Sequence, residues 1–146
     1  MSWVDDKLKA GGGGGALQYI YALQKGVAQS ALASPTNKLL LGGVLFDATV
    51  LPVVSGKTRK VFFEAIIETS NASNVVHVDL YDFTASAALA SSDISTAALI
   101  PAFVNVELTA LASLASGFYQ ARMWMAPQDP AQLVTCLHAA LVVKLV

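Results

Sequence analysis

The feature that most limits how this chain folds is alternation with a period of two residues. In "VFFEAIIET", Val61, Phe63, Ala65 and Ile67 fall on one side of an extended segment, and Phe62, Glu64, Ile66 and Glu68 on the other. Successive side chains of a strand point to opposite faces, so such a segment has one face for a core and one that is partly wet. "NVVHVDLYDF" repeats the pattern, with Val76, Val78 and Leu80 inward and His77, Asp79 and Tyr81 outward. The intervening "SNAS" has turn chemistry, so the two segments are expected to form a hairpin.

The same period recurs downstream. "AFVNVEL" sets Val104, Val106 and Leu108 against Phe103, Asn105 and Glu107, and "FYQARMWMA" sets Tyr119, Ala121, Met123 and Met125 against Gln120, Arg122 and Trp124. "LVTCLHAALVVKL" is apolar on both faces for much of its length, which predicts a central or interfacial strand. "VLFDATVLPVV" reads as another strand, with Pro52 at an edge or bulge. The alanine-rich connections Ala85–Ser95 and Leu108–Ser116 lack charged i,i+4 pairs and read as loops or edge strands rather than helices. Six or so strands without long helical patterns indicate an all-β, antiparallel β-sandwich or barrel.

Residues 1–37 follow a different rule. Gly11, Gly12, Gly13, Gly14 and Gly15 stand in a row behind the charged head "MSWVDDKLKA", and five glycines oppose helix or strand by about 2.5–5 kcal/mol. In "ALQYIYALQKGVAQSALASPTN", Ala16, Ile20, Leu23, Val27 and Ala31 fit a helical face while Leu17, Tyr19, Tyr21 and Leu23 fit a strand face. Periodicity leaves both open. The expectation is an N-terminal arm over 1–37 with a glycine hinge and at most one short helix, and a sandwich domain over 38–146. Trp3, Val4, the five glycines, Tyr19 and Tyr21 are its candidate assembly contacts.

Composition narrows the function. The 146 residues are 55% hydrophobic and 13% charged, against about 25% charged in ordinary soluble domains. That sparing of charge predicts a surface covered by other subunits. No apolar run approaches the roughly 20 residues of a spanning helix, and Asp5 and Asp6 precede any apolar run, unlike a secretory signal. A soluble, unexported homo-oligomer is expected, without membrane contact. Nine basic and ten acidic residues give a net charge of −1, with no electrostatic footprint for nucleic acid.

Sites of chemistry are few. "SGKT" at Ser55–Thr58 lacks the earlier glycine of a phosphate-binding loop and precedes a strand, "RKVFF", instead of a helix. Cys136 and His138, two apart on a strand, are expected to share a face, but the chain offers only His77 besides and no second cysteine. A buried thiol is the reading, with no catalytic residue, no metal and no cofactor. Glu64, Glu68, Asp79 and His77 read as a solvated sheet face, with Lys60 as a cross-strand partner. Asn71-Ala72-Ser73 matches a glycosylation pattern in a turn, with no export signal to give it meaning. The outward aromatics Phe62, Tyr81, Phe103 and Trp124 are candidate subunit or glycan contacts, with a second face of the core as the third reading.

"KVFFEAIIETSNASNVVHVDLYDFT" together with "YQARMWM" and "LHAALVVKLV" resembles the jelly-roll β-sandwich domains of structural proteins of tailed bacteriophages. These recur in capsid decoration (cement) proteins and in head or tail fibres. The resemblance covers roughly residues 58–146 and rests on the strand pattern ending in "VxLYD". It implies a non-enzymatic virion protein, made in the host cytoplasm, commonly trimeric and in contact with other virion proteins such as the major capsid protein. Its alternative is a carbohydrate- or receptor-binding module of a fibre or tail.

Overall fold

The computed structural model describes residues 17–24, 26–47, 51, 54–109 and 116–146. Trp3, Val4 and Gly11–Gly15, like Pro52, lie outside them. The described strands are β1 (Leu17–Ala22), β2 (Ala28–Ser30), β3 (Leu39–Asp47), β4 (Arg59–Thr69) and β5 (Val75–Asp82), followed by β6 (Ala87–Ala88), β7 (Ile94–Thr96), β8 (Ala102–Glu107), β9 (Ser116–Ala126) and β10 (Val134–Leu145). They form two five-stranded sheets. The first runs β1-β10-β4-β8 with β2 also on β10, and the second runs β3-β9-β5-β6 with β7 also on β5. Every pairing is antiparallel. The result is a jelly-roll-like β-sandwich, with no α-helix among the described residues.

The alternation read from the sequence sets the core. Val61, Phe63, Ala65 and Ile67 of β4 are buried and face Val76, Val78 and Leu80 of β5 and Tyr119, Ala121, Met123 and Met125 of β9 within one hydrophobic cluster. Each aliphatic side chain so buried contributes about 1.5–3 kcal/mol over exposure. β10 is central, as its two apolar faces required, paired with β4 on one side and β1 and β2 on the other.

The expected hairpin is corrected. β4 pairs with β10 and β8, and β5 with β9, β6 and β7, so the two lie in opposite sheets. The turn carries the chain across the core. Thr69 Oγ1 donates to the carbonyls of Asn71 and Asn74, and Asn74 Nδ2 donates to the carbonyl of Pro127. One apolar face is satisfied equally by pairing side by side or by packing face to face. Alternation alone therefore fixes the face and leaves the partner open.

The boundary at residue 37 also moves. Residues 17–22 and 28–30 are strands on β10, and Tyr19 and Leu23 belong to the core. The sandwich therefore starts at Leu17, and the short helix is absent from the described part of the arm. β10 without β1 and β2 would expose a long row of backbone donors and acceptors, so covering that edge favours the strand reading. Tyr19 is an interior residue, and Tyr21 meets Phe46 edge to face, with centroids 5.6 Å apart. The junction Ser34–Asn37 is a tight turn closed by two backbone hydrogen bonds. Gly42 on β3 packs against the Leu23 carbonyl so closely that a Cβ would overlap it, which requires glycine there.

Candidate functional site: the outer faces of the two sheets

A β-bulge decides the fate of the cysteine and histidine pair. Cys136 pairs with Ile67 and His138 with Ile66, so Leu137 is the extra residue and the side-chain phase switches there. Val134 and Cys136 join Ala139, Leu141, Val143 and Leu145 on the core side. His138 instead reaches outward to Glu64, Nε2 to Oε2 2.9 Å. The shared face expected from two-residue spacing is thus overturned. Cys136 Sγ donates to the His138 carbonyl, 3.3 Å, and burial pushes the thiol up to about 11. A thiol so disfavoured as thiolate is a poor nucleophile at neutral pH.

The outer face of the second sheet carries an ion network absent from the sequence reading. Asp79 and Arg122 are directly opposed on β5 and β9. Arg122 Nε and Nη2 donate to the two Asp79 carboxylate oxygens at 2.9 and 2.8 Å, and Lys38 Nζ donates to Oδ2 at 3.0 Å. Asp79 is 3% exposed, so what read as a wet carboxylate is buried and doubly paired. Above it, Lys38 Nζ lies 3.8 Å from the Trp124 ring centre, and Arg122 lies 4.7 Å from that of Tyr81. His77 stacks on Trp124 at 5.0 Å and bonds Asp93 through Nδ1 at 3.0 Å.

This layer explains where the candidate aromatics stand. Trp124 is 6% exposed beneath His77 and Lys38. Tyr81 is half-buried under Arg122, and Phe62 is half-buried with Lys144 Nζ 5.0 Å from its ring centre. Of the four, only Phe103 presents a free ring, at 58% exposure on the edge strand β8. The structure therefore does not bring these four together as one platform.

A different group is exposed. Leu45 of β3 opposes Phe118 of β9, and Phe118 meets Phe83 edge to face at 5.1 Å. Phe83 in turn meets Tyr81 at 5.0 Å. Leu45 is 67% and Phe118 41% exposed. Near the opposite end of the sandwich's first sheet, Leu99, Ile100 and Phe103 are exposed beside β8. The sequence signal for the first group was present, since Leu45, Phe83 and Phe118 all lie out of phase with the core, but only the β3-β9-β5 order assembles them.

The remaining motifs are structural. Gly56 has a φ of 78° in the turn before β4, and Lys57 N donates to the Val54 carbonyl. Asn71 Oδ1 accepts from Ser73 N in the crossing turn. Among the described residues no three His, Cys, Asp or Glu side chains gather as a metal site, and no helix is long and apolar enough to cross a membrane.

No protein-family model and no curated protein matches the chain. Solved structures do. The infectious bursal disease virus VP2 subviral particle is similar with a TM-score of 0.54 at 11% identity, over 88% of this chain and 32% of that one. The structure of infectious bursal disease virus Gx strain is similar with a TM-score of 0.50 at 12% identity, again over 88% of this chain and 32% of the other. The chain thus spans about a third, 32%, of the length of the chains it matches. At these identities the likeness establishes the fold: a jelly-roll-like sandwich of the kind found in a viral capsid protein.

Proposed function

We propose that this chain is a structural virion protein, in particular a capsid decoration or cement protein that stabilises a shell through subunit contacts and an N-terminal arm. The observation that carries the reading is the exposed cluster of Leu45, Phe83 and Phe118 on a chain with 13% charged residues. Contiguous apolar surface of this kind marks contact sites, and the capsid-protein fold supplies the setting in which copies meet. Homo-oligomerisation follows, with a trimer as the favoured form and the major capsid protein as the second partner. The host cytoplasm is the expected place of synthesis, and no catalysis is assigned.

The glycan-binding alternative requires accessible rings beside polar groups. Trp124 and Tyr81 are instead covered by Lys38, His77 and Arg122, which favours subunit contact. Light scattering of the purified chain, alone and with purified shells of the virus concerned, tests the proposal. The expected result is an oligomer that adds mass to shells. A chain that stays monomeric and leaves shells bare would overturn it.

A further inference from the structure

Two long edges of the sandwich differ in character. β8 borders the first sheet with Asn105 and Glu107 exposed along it and Pro101 just before it, residue types that discourage further pairing. β3 borders the second sheet with the opposite composition: Leu39–Phe46 contains no charge, no proline and no polar side chain. β9 pairs with it on one side, and among the described residues no loop backbone bonds Leu39–Phe46 from the other. An unguarded apolar edge with open N–H and C=O groups is a template for another strand.

The register says what fits this edge. Leu45 opposes Phe118, Gly43 opposes Gln120 and Leu40 opposes Arg122, with Leu41 as the extra residue of a bulge. The outward row of β3 is therefore Leu45, Gly43 and Leu40, with Gly43 midway between leucines that are 67% and 58% exposed. An antiparallel two-fold axis beside Gly43 sets that glycine against its own equivalent and each Leu45 against Leu40 of the other copy. One operation thus gives both exposed leucines an apolar partner, twice over. One step further out, Asp47 comes opposite Lys38 of the other copy, so no like charges meet. The centre is also open to close approach. Gly43 is exposed, and Phe118 leans over it so that a Cβ there would lie 2.6 Å from the ring's Cζ. Glycine inside a strand marks such approaches, and the axis brings the two Phe118 rings together over the paired glycines.

We propose that β3 pairs edge to edge with β3 of a second copy, antiparallel and two-fold about Gly43, which joins the second sheets of the two copies into one. That a second copy is the occupant rests on the assembly reading above, which this pairing deepens by naming the strand and its register. A two-fold pairing leaves any threefold contact to other surfaces.

Full-length chains with one added thiol test the register. Opposed residues of an antiparallel pair have Cα atoms about 4.5–5.5 Å apart, within disulfide range. The two copies of position 45 would stand about 13 Å apart, four residues of strand rise. With diamide as oxidant, an equimolar mixture of Leu45→Cys and Leu40→Cys is expected to give a covalent dimer on a non-reducing gel, while the parent and either variant alone stay single chains. Leu40→Lys/Leu45→Lys sets lysines against each other twice and is expected to weaken self-association about tenfold or more by sedimentation velocity. Melts within about 2 °C of the parent keep misfolding apart from lost contact, and Leu45→Ser replaces a lysine variant that fails this. If the parent associates but the mixture gives no covalent dimer, or the lysine variant associates as tightly as the parent, pairing at β3 is wrong and the assembly reading stands. Cross-linking by Leu45→Cys alone would overturn the register about Gly43. A monomeric parent would overturn both the pairing and the assembly reading.

Discussion

The two sheets are alike inside and different outside. Both inner faces are rows of buried aliphatic and aromatic side chains with no charge among them. Outside, the second sheet closes over itself: Asp79 sits under Arg122 and Lys38, and Trp124 sits under Lys38 and His77. The first sheet keeps one partly exposed pair, His138 with Glu64, and leaves Lys60 and Lys144 unmatched among the described residues. A polar residue on the outward phase of a strand therefore says little about its exposure. Burial there depends on what the neighbouring strand places across from it.

The inner faces supply the largest expected effect. Ile67→Asp in the first sheet and Val78→Asp in the second place a carboxylate where both native side chains have no exposed surface. An unpaired buried charge costs several kcal/mol, comparable to total domain stability. Both variants should be insoluble or unfolded by circular dichroism. A native-like melt for one of them alone would mean that its sheet lacks the sealed inner face described here.

The outer faces come next, and here the sheets should separate. Asp79→Ala leaves two cations on the second sheet without their carboxylate and should cost about 3 kcal/mol. Glu64→Ala in the first sheet removes a partly exposed partner of His138 and should cost under about 1 kcal/mol. In melting temperature the difference is about 6–12 °C against about 3 °C or less. Equal shifts would show that the Asp79 network is as well solvated as the His138 pair.

What the sequence made legible follows the same division. The inward phases of β4, β5, β8 and β9 were readable because each strand has a clean period of two and the core enforces it. Pairing was not, because β4 and β5 satisfy alternation from opposite sheets. β1 was ambiguous because Tyr19, Tyr21 and Leu23 fit a strand while Ile20, Leu23 and Val27 fit a helix, and only the open side of β10 decides. The bulge at Leu137 left no mark in composition, yet it moved Cys136 into the core and turned His138 out. The Asp79–Arg122 pair needed the register of β5 on β9, which no single strand reveals.

The buried thiol gives a smaller effect that belongs to the first sheet. Cys136 is raised from 9.0 to about 11 by desolvation, with the hydrogen bond to the His138 carbonyl working against it. Below pH 9 the thiol is protonated in both states and contributes no slope. Above pH 9 the unfolded chain loses its proton first, so stability falls as pH rises, by about 2–3 kcal/mol on reaching pH 11. Tyr21 and Tyr119, both also raised by burial, add in the same direction. Cys136→Ser should therefore flatten part of the alkaline decline in denaturant-measured stability. A decline unchanged between pH 9 and pH 11 would place the thiol in contact with water.

The smallest effect on folding should come from the exposed aromatics, one from each sheet. Phe118→Ser in the second sheet and Phe103→Ser in the first remove rings that are 41% and 58% exposed. β8 is an edge strand where Phe103 opposes only Ile66, so that substitution should change stability by about 0.5 kcal/mol or less. Phe118 touches Phe83 and lies over Gly43, where a Cβ would meet its ring. Its loss should cost somewhat more, about 1 kcal/mol including the edge-to-face pair. Association should reverse the order of importance relative to folding. If Leu45, Phe83 and Phe118 form the subunit contact, Phe118→Ser weakens self-association measured by sedimentation far more than its melt suggests, while Phe103→Ser leaves it near the parent. The opposite ranking would move the contact to the β8 edge and leave the aromatic cluster of the second sheet as ordinary exposed surface.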